Sequence, residues 1–227
     1  MKAHYLPILT GLFNITHVFL GILIHVISGR SASNLPFISE IFLERHSIES
    51  KLVTFCLIIG SVLTLLTSFA IYFRNLNIRH ATGKYRVLSF LLLNLASSMY
   101  LVRSFFNRCE QIDTHAALSI ISSLSAVGWT FLSSHCCRST QPKIELVRFF
   151  MSTISMIAIM VGYYNVLRSV FITPDAFQTC NLANARDILK NASVSEYIVW
   201  FCLNMFLVSY SANLASEGIV HHKRKSR

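Results

Sequence analysis

Charge is the scarcest commodity in this sequence: Asp, Glu, Lys and Arg make up 13% of 227 residues, against 53% apolar residues. Soluble domains carry about a quarter charged residues, so the expected solvent for most of the chain is lipid. Proline and glycine are sparse, 4 and 8 residues, and no Pro/Gly-rich linker or low-complexity tract divides the chain, which points to one domain. No stretch shows the alternation over about ten residues that a transmembrane barrel requires. His-Glu-x-x-His, paired Cys-x-x-Cys and Gly-x-Ser-x-Gly are all missing. The spacing therefore names no metal, no cofactor and no catalytic motif, and leaves open whether the chain is an enzyme. Basic residues are in excess, with a net charge of +10. A nucleic-acid binder would gather them on one face of a folded domain; here they fall in short blocks between apolar runs, so no nucleic-acid partner is expected.

The apolar runs cover about residues 5–27, 52–73, 87–106, 116–134, 149–172 and 197–216. A helix needs about 20 such residues to cross a hydrocarbon core of about 30 Å, and only helices or closed barrels satisfy their backbone there. The expected fold class is all-α: one integral membrane bundle of six transmembrane helices, with a short basic tail over 217–227. The first run is too long for a signal-peptide core and is taken as a retained span. Small residues allow close helix approach, so the Ser-rich fourth span is expected at the bundle centre. Transporters commonly show repeats and Gly/Pro-broken spans; neither is evident.

Twelve of the twenty Lys and Arg residues lie at the N-terminus, the second and fourth loops and the tail; seven lie in the other three loops, and Arg168 lies within span five. The positive-inside rule then puts both termini in the cytosol. Asn191-Ala192-Ser193 is an N-glycosylation acceptor in the last lumenal loop. Cys109 and Cys180 fall in lumenal loops, where oxidation permits a bridge; the alternative is two buried thiols. Cys136 and Cys137, at the cytosolic end of span four, are candidates for S-palmitoylation, and Cys56 and Cys202 for helix packing. Lys223 and Lys225 resemble a cytosolic dilysine signal for retrieval to the endoplasmic reticulum; the alternative is a stop-transfer cluster held by anionic lipid.

Polar groups at membrane depth are costly and mark candidate sites. Span one carries Asn14, His17 and His25, the two histidines eight residues apart on one helix face. The candidate lumenal site combines Asp113, His115 and Glu196 with Arg168. Such a set can hold a phosphate-bearing headgroup, or a metal and its water. The plainer alternative is helix-end ion pairing at the interface.

Several segments are similar to one known family. Ser28-Gly29-Arg30 is followed by Leu35-Pro36-Phe37-Ile38-Ser39-Glu40, and span two carries Phe55-Cys56. Asp113-Thr114-His115 enters span four, Glu196-Tyr197 opens span six, and Asn204 and Met205 follow. In this order the chain resembles the six-span family of post-GPI-attachment-to-proteins factor 2 and the DRAM (damage-regulated autophagy modulator) proteins, over about Leu6 to Gly218. Asn213 departs from the family's usual acid, and the last lumenal loop, Thr173 to Ser195, is longer. The resemblance leans to the factor-2 branch. It implies a Golgi or endoplasmic-reticulum protein supporting lipid remodelling of GPI anchors, with membrane lipid and GPI-anchored proteins as partners. The DRAM branch implies instead a lysosomal or endosomal modulator of autophagy.

Overall fold

The computed structural model describes residues 4–27, 48–75, 83–103, 105–106, 111–136, 141–173 and 186–225. It is all-helical, with α1 Tyr5–Ile27, α2 Ile48–Asn75, α3 Gly83–Arg103, α4 Ile112–Cys136, α5 Pro142–Ile172 and α6 Arg186–Lys225. All six are long and apolar enough to cross a membrane. Cys109, Cys137 and Cys180 lie outside the described residues, as do the side chains of Cys136, Lys223 and Lys225. Cys56 and Cys202 are free thiols within helices, the second buried.

Chain neighbours are spatial neighbours: each helix packs on the next, and α6 returns to α1, closing a ring. Cross-helix hydrogen bonds give the direction. Thr10 meets Thr67 at 2.8 Å, Asn14 meets Asn204 at 3.0 Å and Ser89 meets Ser133 at 2.6 Å. Early residues of one helix thus pair with late residues of its neighbour, and the helices run alternately up and down. The first turn of α1 and the Tyr210 region of α6 share one end of the ring; Arg103 and Glu196 mark the other. The Ser-rich α4 also reaches across the ring to α6, where Trp129 meets Phe206 edge-on at 5.1 Å. Its serines are consumed at seams, as where Ser122 donates to the Ala96 carbonyl at 2.9 Å.

The ring is polar inside and oily outside. Thr10, Asn14, Thr67, Ser97, Ser122 and Asn204 are buried, whereas Leu12, Phe19, Phe55, Phe73, Phe149 and Phe171 are exposed. Water-soluble proteins show the reverse order, and an apolar exterior this extensive marks a lipid-facing surface. Interior hydroxyls bond the carbonyl one turn back, as Ser152 and Ser155 do, or bridge helices.

Several helix boundaries move from their sequence positions. α3 starts at Gly83 and stops at Arg103, leaving Phe105 and Phe106 in a turn. α4 starts early enough to take in Asp113 and His115. α5 starts at Pro142, whose missing N–H costs nothing in a first turn, and so Arg148 becomes a fully buried helical residue. α6 starts at Arg186, and its apolar stretch runs Leu189–Ala212. Asn191 therefore lies on a helix and not in a loop. Its side chain is exposed, but Ser193 is buried and donates to the Lys190 carbonyl at 2.8 Å. The tripeptide thus sits in the first turns of α6 and not in the loop that the sequence suggested.

The ring closes through one glycine. A Cβ at Gly11 would collide with the Val208 side chain and lie 3.0 Å from the Asn204 carbonyl oxygen. Gly11→Leu is expected to wedge α1 from α6 at a cost of about 1–3 kcal/mol or more, read as a lower thermal midpoint in detergent. An unchanged midpoint would contradict the close crossing.

Candidate functional site

The ring encloses a cavity of about 870 Å³, with walls from all six helices. Its charged end begins at Arg103, the last residue of α3 and only 7% exposed. A helix C-terminus favours a cation there. The guanidinium Nη1 donates to Ser119 Oγ at 3.1 Å and stands 3.6 Å from Glu196 Oε1. The same guanidinium sits 4.5 Å from the Tyr100 ring centre, a cation–π contact. Across the cavity the Tyr163 hydroxyl donates to the Ser119 carbonyl at 3.3 Å.

An aromatic column leads inward from this end. Tyr100 stacks on Trp200 at 4.9 Å, and Trp200 meets His17 edge-on at 5.8 Å. Trp200 Nε1 donates to the Asn14 carbonyl at 3.3 Å. The Asn14 amide in turn donates to Asn204 Oδ1 at 3.0 Å and Thr64 Oγ1 at 3.3 Å, tying α1, α2 and α6 together. His17 is the unusual member. Its Nδ1 lies 3.3 Å from the Phe13 carbonyl oxygen, which can only accept, so the proton is assigned to Nδ1. Nε2 then carries a lone pair that is buried and makes no hydrogen bond among the described residues. The cavity thus has an acceptor halfway along α1. The opposing walls, from Ile120, Leu124, Ala158, Ile159 and Val166, are apolar.

Three of the four residues expected to form a site line this cavity at its charged end: Asp113, His115 and Glu196. Asp113 is exposed in the first turn of α4, and His115 Nδ1 lies 3.2 Å from the Phe106 carbonyl oxygen. Among the described residues no three His, Cys, Asp or Glu side chains gather as a metal-ligand set. Arg168 does not join them. It is exposed on the face of α5 that also carries Tyr164 and Phe171, whereas Tyr163, Val166, Leu167 and Val170 line the cavity. The cation of the site is Arg103, which a count of charges by loop assigns to a loop although it falls inside the apolar run 87–106. Tyr100 and Arg103, three residues apart and following Ser97, were the available signal, since that spacing shares a helix face. His25 is half-exposed near the end of α1 and stands outside the lining, so helical phase alone did not bring both histidines to one place.

Comparisons of the chain with protein-family models, with curated proteins and with solved structures gave no match.

Proposed function

We propose that this chain is a multi-pass protein of the early secretory membranes, with both termini cytosolic, that takes the lipid portion of GPI-anchored proteins into its central cavity and supports remodelling of that lipid. The observation that carries the reading is the cavity itself, which joins one charged, hydrogen-bonding end to apolar walls. An amphipathic lipid has the same division. Arg103 offers a planar, charged donor suited to phosphate oxygens, and the apolar walls give acyl chains surroundings like those of the bilayer they leave. A volume of about 870 Å³ lies within the range of about 300–1,000 Å³ usual for ligand sites. The choice of GPI lipid rests on the resemblance, and Asp113, His115, Glu196 and Asn204, which help to carry it, all line the cavity.

The decisive experiment is deletion of the gene followed by surface staining for GPI-anchored proteins and mass analysis of their anchors. The expected result is reduced display and altered acyl chains, restored by the wild type but not by His115→Ala or Glu196→Ala. Normal display with normal anchors in the deleted cell would remove the proposed function. Full restoration by both variants would remove the site.

A further inference from the structure

The ring is not sealed equally on all sides. Contact between α4 and α5 is the thinnest of the six seams. Among the residues lining the cavity, six are exposed, and every one belongs to these two helices: Asp113, Ala116, Ile120 and Leu124 on α4, Leu167 and Val170 on α5. The four on α4 recur at intervals of three and four, one stripe along a helix face. They face α5 in antiparallel register, since Tyr163 bonds Ser119. Further down, Val127, Ala158, Ile159 and Val199 pack together and close the seam. What remains open is a slit with an acid at its top, beside the Arg103–Glu196 pair, and apolar edges below. Leu124 is 53% exposed and Leu167 58%, on a bundle whose surroundings are lipid.

We infer that the α4–α5 slit is a lateral portal through which a lipid acyl chain passes between the bilayer and the central cavity. The inference rests on the lipid-binding reading above and adds the route. No bond is made or broken. The chain slides from one apolar environment to another while the headgroup travels along the end of the slit, past Asp113 and towards Arg103. The alternative routes would require parting α1 from α6 at the tight Gly11 crossing, or α3 from α4 along the Ser89–Ser133 and Ser122–Ala96 hydrogen bonds. The α4–α5 seam has flexible aliphatic side chains at both edges, and Tyr163 reaches across it to Ser119 at 3.3 Å and to Ser123.

The test uses the full chain in phosphatidylcholine vesicles containing phosphatidylinositol with a photoreactive diazirine near the end of one acyl chain. Adducts are mapped by mass spectrometry on the inner-wall residues Leu203 and Leu207, with exposed Phe19 and Phe69 reporting surrounding lipid. Leu124→Trp and Leu167→Trp, made separately, narrow the slit; Leu66→Trp, exposed on α2 and away from the cavity, controls for an added indole. Each slit variant is expected to lower inner-wall labelling about tenfold, as a steric obstruction of ordinary overpacking size would, with Phe19 and Phe69 labelled as before. Undiminished inner-wall labelling in both slit variants would overturn the portal and leave the lipid-binding cavity standing. Wild-type protein labelled at Phe19 and Phe69 but never at Leu203 or Leu207 would overturn both. Because both side chains are more than half exposed at the slit edges, size exclusion and thermal midpoints matching wild type are expected. If one variant fails to fold, the other decides.

Discussion

Arg103→Leu is expected to weaken binding of phosphatidylinositol to the purified protein by one to two orders of magnitude, while a lipid with an uncharged head changes little. The magnitude follows from a hydrogen bond to a charged group, about 1.5–3 kcal/mol, converted at about 1.4 kcal/mol per tenfold. Two effects act in the same direction. The variant removes the donor, and it leaves the Glu196 carboxylate uncompensated by Arg103, where it would repel an anionic head. Arg103→Lys keeps the charge but loses the fork and the flat face over Tyr100, so its affinity should fall between the two. Equal loss for charged and uncharged lipids would mean that Arg103 only holds α3 to α4 through Ser119. Unchanged affinity in Arg103→Leu would remove it from the site.

At the other end of the ring, Arg148→Ala should be the most damaging single change to stability. Arg148 is fully buried; its Nε donates to Ser209 Oγ at 2.8 Å, and its guanidinium lies 4.1 Å from the Tyr210 ring centre and 5.8 Å from that of Phe206. Tyr210 and Phe206 belong in turn to the apolar cluster with Trp129 and Ile71. Truncation leaves a cavity of large-side-chain size between α5 and α6, at about 3 kcal/mol. Arg148→Met, which fills most of the space and removes the cost of burying a charge, should lose much less. Thermal midpoints in detergent decide it: an Ala variant as stable as wild type would show that the aromatic cage does not hold these helices together.

Neither arginine could be recognised from the chain alone. Lys and Arg near the end of an apolar run usually project into water, and a count of charges by loop treats all of them so. Arg103 and Arg148 instead turn inward because each lies on the interior face of its helix, and aromatic side chains from α3 and α6 close over them. Arg168 shows the converse. It sits in the outer third of an apolar run, which marked it as a site residue, yet the helical phase set by Tyr163, Val166 and Val170 leaves it on the outer face. Asp113, His115 and Glu196 were found because polar groups flanking apolar runs are few. Their convergence depended on α4 and α6 starting earlier than a hydropathy window suggests. The polar residues that interrupt the window, among them Ser193 and Ser195, are buried with their hydroxyls satisfied one turn back.

What the chain determined unaided was its solvent and, among the described residues, its count of long apolar helices. Long apolar runs with few charges leave the backbone no partner but itself, and each run must then become a helix. The tertiary structure decided which face of each helix turns inward, and with it the cavity, the aromatic column from Arg103 to His17 and the slit between α4 and α5. Those features arise from the packing of all six helices against one another. Residues as distant as Asn14 and Asn204 are joined by a 3.0 Å hydrogen bond, and no local pattern in composition or spacing encodes that meeting.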